Sequence, residues 1–444
     1  MTDLQKAFDH FKAVSLIYSA YFDYYDGDQP LRYSTERLKD AFNQIRPKFR
    51  ENVCSVVIDT VTDRLELYGW QTADDAVTEA LSQIWDETGL ALESNEVHQS
   101  ALVCGESYLI GWKDEGRPIE FYYHDPRRAV VFYDDDHPRE KRFASKWWDT
   151  DDGCHLILYY PDRIERYFAR GKHMREIEAT NGANSFTLEA DGVTANPYGV
   201  IPVFHFRNTL RKRQSDLKNV TELQDAINKL LCDMMVTAEF SAFPARYVIS
   251  SADIETLKNA PNQIWDLPAG LEGQQNTQVG TLEAANLANY SGQINELISA
   301  VSFITHVPKY YFDKTGASIS GEALITMEAP LVKKVNQKRE LFGTVWQEVA
   351  QFALLVMGLQ YRKNDIQCQW GNAEAEQPLT ETEIIRNYRQ AGLPLKSSLR
   401  LAGYTDAEVT IIEQEQAEEK QKDSDLAMLY LEQARNESAR ENRI

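Results

Sequence analysis

The spacing of apolar residues between positions 283 and 358 predicts two helices joined by a short loop. In the first helix, apolar side chains recur at steps of three and four residues, at Leu287, Tyr290, Ile294, Leu297, Val301 and Ile304. Pro308 should end this helix, because a proline disfavours helical geometry in the residue before it. Ser320 can cap the second helix, whose apolar stripe continues to residue 349. Pro330 lies inside that stripe and should bend the helix, because it removes one backbone hydrogen bond.

The loop between these helices, residues 307–319, contains three adjacent aromatic residues, Tyr310, Tyr311 and Phe312. Adjacent side chains point in different directions, so the three cannot all face one core. One interpretation is that one or two of them pack against the neighbouring helices while the rest are partly exposed. The other is that they form a functional surface in an assembly. The pattern alone leaves both open.

A two-residue period between positions 105 and 206 predicts an antiparallel β region that follows helices at 33–65 and 73–104. Turns rich in Asp, Gly and Pro separate the strands. Residues 183–200 are small and polar and predict a surface loop before a buried strand. The candidate strands are Ser107–Trp112, Ile119–Tyr123, Ala129–Tyr133, Phe143–Trp148, Leu156–Tyr160, Ile164–Phe168 and Ile201–Phe206.

Residues 241–282 interrupt the helical pattern between a helix that should open at Ser215 and the helix that begins near residue 283. Two short strands, Arg246–Ser250 and Gln263–Leu267, and a short helix between them form a small α/β insert, followed by a polar, Gly-rich run to residue 280. The insert is too small to bury a core of its own. We therefore expect it to pack against other chains.

The two ends of the chain have different compositions. Residues 1–34 are rich in aromatic residues and predict either a helix packed on the body or an arm that contacts a neighbouring subunit. Capping boxes at Thr380–Glu383 and Thr405–Glu408 predict two helices near the C-terminus. Residues 413–444 are dense in charged and amide side chains, which indicates a solvated helix with a frayed end.

The charge of the chain limits how it can handle nucleic acid. Its 444 residues contain 47 Lys and Arg against 68 Asp and Glu, a net charge of −21. A protein that grips DNA tightly is usually basic, because neutralised phosphates supply most of the affinity. The chain therefore either makes no contact with nucleic acid or handles DNA without gripping it.

The five cysteines stand at positions 54, 104, 154, 232 and 368, without paired spacing. A disulfide framework or structural zinc site is not expected, and we expect folding in a reducing cytoplasm. The N-terminus lacks a signal-peptide pattern, and no run of 18 apolar residues predicts a membrane span.

Two acidic clusters are the candidates for metal chemistry. Residues 134–137, Asp-Asp-Asp-His, offer ligand atoms, but adjacent positions on a tight turn diverge, which favours an acidic hairpin tip. Residues 149–153 resemble the start of a calcium loop, but Tyr160 stands where the bidentate Glu is required. The chain also lacks the common nucleotide-binding, hydrolase and zinc-protease motifs. We expect no catalytic residue, metal or cofactor, and not an enzyme of a common class.

The order of these elements resembles portal proteins from tailed double-stranded DNA bacteriophages, of the siphovirus type. The resemblance spans residues 35–410, and no single motif is diagnostic, whereas order and spacing together are specific. The motifs that carry it are Asn196–Gly199, Ile201–Val203, Val307-Pro308, Ser320–Leu324, Pro330-Leu331 and Gln390–Pro394.

The resemblance implies an α+β portal fold: a helix-rich wing carrying the antiparallel β region, two stem helices, a small α/β clip, a long bent helix and a helical C-terminal crown. The implied boundaries are 1–34 for the N-terminal arm, 35–206 for the first part of the wing, 207–240 for stem helix 1, 241–282 for the clip, 283–306 for stem helix 2, 307–319 for the tunnel loop, 320–378 for the long bent helix with the second part of the wing, and 379–444 for the crown.

The resemblance also implies a function. Portal proteins form a ring, usually a dodecamer, at one capsid vertex, through which double-stranded DNA is packaged and ejected. The implied partners are the terminase large subunit, which supplies the motor, head-completion or adaptor proteins, and the major capsid and scaffolding proteins, without a membrane. The implied location is the virion, with host cytoplasm during assembly. An acidic tunnel wall with few cations would let DNA slide.

By the same resemblance, candidate residues fall in three places. The tunnel loop supplies Val307, Lys309, Tyr310, Tyr311, Phe312 and Lys314, the clip that docks terminase supplies Arg246, Tyr247, Trp265 and Asp266, and Pro330 supplies the helix bend. Two alternatives remain from the residues alone. One is a metal-dependent DNA-processing enzyme, which needs converging carboxylates, and the other is a capsid adaptor or scaffold without a DNA tunnel.

Overall fold

A computed structural model describes residues 1–31, 50–180, 182–242, 246–249, 278–281, 286–312, 321–374, 378–405, 408–417 and 422. The chain forms two compact units, residues 1–373 and residues 374–444. Several predicted features lie outside the described residues: most of the first half of the helix at 33–65, the second strand and the helix of the 241–282 insert, the Ser320 cap and the residues after 422.

The first unit contains eight α-helices among its described residues. They are α1 Asp3–Asp26, α2 Val53–Thr62, α3 Asp75–Glu87, α4 Leu90–Cys104, α5 Met174–Ala179, α6 Thr221–Ala242, α7 Ala288–Thr305 and α8 Gly321–Val356. Short 3-10 turns cover Gly182–Ser185, Lys309–Phe312 and Lys363–Asp365.

Its strands are β1 Leu67–Gln71, β2 Glu106–Trp112, β3 Glu120–His124, β4 Ala129–Tyr133, β5 Lys141–Thr150, β6 Gly153–Tyr159, β7 Arg163–Arg170, β8 Thr187–Ala195, β9 Val203–Arg207, β10 Arg246–Ile249, β11 Gln278–Thr281 and β12 Gln367–Trp370. They form a five-stranded sheet, β4-β5-β6-β7-β8, a three-stranded sheet, β3-β2-β9, and the pairs β1-β12 and β10-β11. Every strand pair in the described ranges is antiparallel, which confirms the predicted α+β class.

The largest core surrounds the C-terminal half of α8. Trp346 is fully buried there, and its ring centroid lies 5.9 Å from that of Trp85 and 6.3 Å from that of Trp70. The indole Nε1–H of Trp346 donates to His98 Nε2 at 2.8 Å, so α8 also holds α4. The predicted apolar stripe of the second helix is confirmed as the side that faces the core from Leu331 to Val349. At the start of the helix it is wrong, because Met327 is exposed.

Helix α1 packs on the five-stranded sheet and closes a second core. Phe8 and Phe11 are buried among Val130, Phe143 and Leu156. This is the first of the two interpretations of residues 1–34, and a contact with a neighbouring subunit stays a prediction.

Two predicted boundaries are wrong. Residues 187–195 form strand β8 at the edge of the sheet instead of belonging to a loop. The strand was not visible in the sequence because most of its side chains are exposed, so it lacks alternating burial. Helix α6 begins at Thr221 rather than at Ser215. Ser215 Oγ instead accepts the N–H of Leu217 at 2.9 Å and closes a turn, in which Leu217 is already buried.

The second unit contains α9 Pro378–Gln390, α10 Leu395–Leu401 and a helix at 408–417, α11. The capping box at Thr405–Glu408 is confirmed: Thr405 N–H donates to Glu408 Oε2 at 2.8 Å, and Glu408 N–H donates to Thr405 Oγ1 at 3.4 Å. Thr380 lies inside α9 instead of capping it, because that helix begins at Pro378, a residue well suited to a first turn. Among the helices that the structure describes, none is long and apolar enough to cross a membrane.

Candidate functional site

The candidate site begins where α7 ends. His306 closes the helix in the left-handed conformation, with φ 61°. Val307 and Pro308 follow and are buried, and a 3-10 turn covers Lys309–Phe312. The chain thus ends its helix at the position that Pro308 predicts and turns back toward α8.

Tyr310 and Tyr311 do not project from the turn but dock against α8. Their rings stack with centroids 4.6 Å apart. Both hydroxyls donate to Glu328 Oε1, Tyr311 at 2.8 Å. Arg64, just after α2, donates through Nη2 to the same oxygen at 3.1 Å and to the Tyr311 hydroxyl at 2.6 Å. We name these four residues, Arg64, Tyr310, Tyr311 and Glu328, the Glu328 joint.

The Glu328 joint keeps its carboxylate ionised inside the protein. Glu328 is only 4% exposed, and burial by itself raises its pKa. The hydroxyls of Tyr310 and Tyr311 and the charge of Arg64 outweigh that effect, so the pKa of Glu328 lies below its usual value. The joint therefore holds a charged acceptor that is satisfied by three donors.

The other predicted loop residues occupy three kinds of environment. Val307 and Phe312 are buried in the main core. Lys309 is exposed, and Lys314 lies outside the described residues. For the aromatic residues, the interpretation of packing on neighbouring helices is the one that the structure bears out for this chain alone.

A second polar cluster holds the residues that precede α6, and the end of α7, to α8. Lys334 Nζ lies 2.8 Å from Asp216 Oδ2 and donates to the carbonyl of Thr305, the last residue of α7, at 3.2 Å. Lys338 Nζ lies 3.4 Å from Asp216 Oδ1 and also donates to the Asn208 carbonyl at 3.1 Å. We name these residues, Asp216, Lys334, Lys338, Asn208 and Thr305, the Asp216 joint.

The lysines set the charge state of the Asp216 joint. Burial raises the pKa of Asp216, but the adjacent charges of Lys334 and Lys338 hold it well below its usual range. Burial also lowers the pKa of Lys338, which Asp216 partly offsets. The joint is an ion pair enclosed by α8 and the residues that precede α6.

A model of the family described as "Phage portal protein, SPP1 Gp6-like" matches residues 18–423. The chain belongs to this portal protein family. The match covers nine-tenths of the chain, from within α1 to beyond the end of α11, so it includes both joints. It confirms the resemblance and the portal assignment drawn from the element order, and the family is one of structural proteins.

Individual relatives agree with the family match. The "Portal protein" of Mycobacterium phage L5 is 24% identical over 360 residues, covering 73% of this chain and 70% of the relative. That of Mycobacterium phage D29 is 24% identical over 372 residues, covering 75% and 72%. Among solved structures, the "Neck of empty GTA particle computed with C6 symmetry" matches with a TM-score of 0.47 and 12% identity, covering 84% of this chain and 95% of the other.

The residues predicted to form a clip are described only in part. In this portal-family chain, β10 pairs with β11 so that Tyr247 stands opposite Gly280, and Tyr247 is 48% exposed. The end of the predicted Gly-rich run, residues 278–280, is therefore strand rather than loop. Trp265 and Asp266 lie outside the described residues.

Helix α8 runs without interruption from Gly321 to Val356, with Pro330 inside it and exposed to solvent. A functional bend at that residue stays a prediction. The acidic hairpin at 134–137 uses Asp134 Oδ1 to accept the backbone N–H groups of Asp136 at 2.9 Å and His137 at 3.0 Å, as expected for a hairpin tip. Among the described residues, no three His, Cys, Asp or Glu side chains are placed so that they could hold a metal ion together.

Sequence reasoning missed both joints. A signal for Glu328 existed, because it stands at helical spacing before the buried residues Leu331 and Val335, where an apolar residue is expected. Nothing in the sequence connects Glu328 to Arg64, which lies 264 positions away. Likewise, no local pattern links Asp216 to Lys334.

Proposed function

We propose that this chain forms a closed ring of about twelve subunits at one capsid vertex, through which double-stranded DNA is packaged and ejected. The observation that carries the proposal is the family match over residues 18–423. The absence of a common nucleotide-binding motif in the sequence supports a separate motor, and the chain itself is proposed not to be an enzyme.

Exposed apolar side chains on either side of the 3-10 turn support assembly with other copies. Phe303, near the end of α7, is 83% exposed, and Ile325 and Met327, near the start of α8, are 50% and 46% exposed. Exposed apolar side chains that form one contiguous patch usually mark an interaction surface, and we propose that these three belong to such a patch. In the proposed ring, a neighbouring subunit covers them.

The proposed contact with DNA is cationic and weak. Lys309 is exposed on the turn, whereas its aromatic neighbours pack inward, so Lys309 and Lys314 are the residues of the loop that we propose reach phosphate. An exposed ion pair is worth about 0–1 kcal/mol, so DNA can slide past such contacts. The net charge of −21 opposes tight binding elsewhere.

The proposed partners follow from the portal assignment. Residues 241–282 form the proposed clip for the terminase large subunit, with Arg246, Tyr247, Trp265 and Asp266 at the contact. Head-completion or adaptor proteins, the major capsid protein and the scaffolding protein complete the set. The proposed location is the portal vertex of the virion, after assembly in the host cytoplasm.

Native mass measurement of the purified chain tests the ring, and a charge-reversal variant tests the DNA contact. We expect a closed assembly, and a chain that stays monomeric at working concentration overturns the proposal. Lys309→Glu with Lys314→Glu should assemble normally but package less DNA, with a deficit that depends on salt. The control is Lys218→Glu with Lys422→Glu, which changes charge equally at two exposed lysines outside the loop. Equal packaging by the two double variants would exclude a loop contact with DNA.

A further inference from the structure

Helix α8 makes hydrogen bonds with Arg64 through two of its residues. Glu328 binds its guanidinium, and Arg339 Nη2 donates to its backbone carbonyl at 2.5 Å. Glu328 and Arg339 are eleven residues apart, about three helical turns, and therefore lie on one face of α8. Pro330 stands between the two points of attachment. The segment of α8 around Pro330 is thus fixed to the end of α2 on both sides.

The Glu328 joint is directional in a way that apolar packing is not. Three donors from two separate segments converge on one oxygen, Glu328 Oε1, and two of them come from the consecutive residues Tyr310 and Tyr311. Hydrogen bonds weaken steeply when their angle is lost, so this arrangement is satisfied in only one position of the turn. A buried carboxylate gives little net stability over an apolar side chain, whereas losing its partners is costly. The joint therefore specifies geometry more than it adds stability.

We propose that Glu328 is a positioning residue for the loop that follows α7, which it aligns by anchoring Tyr310 and Tyr311 to α8 and to Arg64. This inference rests on the proposed function, because it assigns the joint a role in how the loop meets DNA. Lys309 is the residue immediately before the anchored pair, so the joint sets where its cation stands.

Through α8, the Glu328 joint is also connected to the residues before α6 and to the end of α7, the two proposed stem helices. Glu328 precedes Pro330 in α8, and Lys334, which contacts Asp216 and the last residue of α7, follows it. Because Pro330 lies between Glu328 and Lys334, a change in the bend of α8 there would alter the distance between the 3-10 turn at 309–312 and the Asp216 joint. Under the proposed function, a force that DNA exerts on the turn would reach α2 and α8 through the hydrogen bonds of Arg64 and Glu328.

The test removes single hydroxyl groups without leaving a cavity. In Tyr310→Phe and Tyr311→Phe, amide hydrogen exchange at residues 309–312 should rise about five- to tenfold. Packaged, nuclease-protected DNA in particles carrying either variant should fall, with assembly mass unchanged. Tyr167→Phe is the matched control, because the Tyr167 hydroxyl also donates to a carboxylate, Glu165 Oε2, at 2.9 Å, but in the five-stranded sheet.

A second pair of variants separates positioning from general stability. Glu328→Gln keeps an acceptor oxygen for the hydroxyls, so it should restore most of the exchange protection and DNA retention that Glu328→Leu loses. The inference is overturned if Tyr310→Phe and Tyr311→Phe show the same amide exchange at residues 309–312, or the same DNA retention, as Tyr167→Phe. It is also overturned if exchange rises equally in β5 and β6, since Glu328 would then act only on overall stability. The exchange measurement needs no ring, so a parental chain that fails to assemble contradicts the proposed function and not the joint.

Discussion

The two halves of α8 are attached to the protein by different physical means. Residues 339–356 bury a continuous apolar face that includes Phe342, Trp346 and Val349. Residues 321–338 bury Leu331 and Val335 in the same core but are otherwise attached through the Glu328 joint and the Asp216 joint, while Ile325 and Met327 are exposed. We name residues 339–356 the anchored half of α8 and residues 321–338 the adjustable half.

The two kinds of attachment have different physical effects along the helix. Burial of apolar area stabilises in proportion to the area removed from water and is largely indifferent to direction. Buried ion pairs contribute little net stability but hold only in a narrow geometry. We infer that the C-terminal half holds the fold, and that the N-terminal half sets the positions of the turn, of the end of α7 and of the residues before α6.

Removing the largest side chain of the anchored half should have the largest effect on stability. Trp346→Ala deletes a fully buried indole and leaves His98 Nε2 without its donor. We expect a loss of about 3–5 kcal/mol in the free energy of unfolding, measured by urea denaturation. The matched control is Trp148→Ala, a partly exposed residue of β5 that stacks on His155, which should lose less. A loss below that of the control would mean that this half is not the anchor.

Breaking the Asp216 joint should have the next largest effect. Asp216→Asn leaves buried Lys338 and partly buried Lys334 without a carboxylate, and we expect a cost of about 2–4 kcal/mol in the free energy of unfolding at pH 7. The control is Asp233→Asn, which breaks a more exposed pair with Lys229, 27% exposed on each side chain, and should cost less than about 1 kcal/mol.

The pH dependence checks the origin of that cost. Because the folded pKa of Asp216 is lowered, its stabilisation is present above the unfolded value of about 4 and is lost as pH falls toward the folded value. The difference between the parent and Asp216→Asn should therefore narrow below pH ~4. A difference that stays constant from pH 7 to pH 3 would mean that the Asp216 charge is not its cause.

The sequence predicted the apolar half of this comparison and missed the polar half. The helical spacing of Phe342 and Val349 reports directly which face is buried, since apolar periodicity and burial have one cause. Glu328 and Asp216 find partners that are distant in sequence, and only the tertiary fold brings those partners together. Edge strand β8 was assigned to a loop for a different reason: most of its side chains are exposed, so no alternating apolar pattern marks it.

Replacing the proline of the adjustable half should have the smallest effect on stability and a separate effect on function. Pro330→Ala restores a backbone N–H to α8, and we expect the free energy of unfolding to rise by about 1–2 kcal/mol. A proline inside a helix costs about 3 kcal/mol, but part of this cost is offset because proline also restricts the unfolded chain. If the proline bends α8, straightening it should shift the turn relative to the Asp216 joint and reduce DNA passage, measured as packaged DNA per particle.

Gly343→Ala is the control in the anchored half: its new Cβ would lie 3.7 Å from Trp370 Nε1, an ordinary contact, and it should gain about 0.5–1 kcal/mol without changing the turn. Both variants stabilise the same helix, so reduced DNA passage in Pro330→Ala alone would assign the effect to the bend. Normal passage in both would show that α8 needs no bend at Pro330 to position the turn.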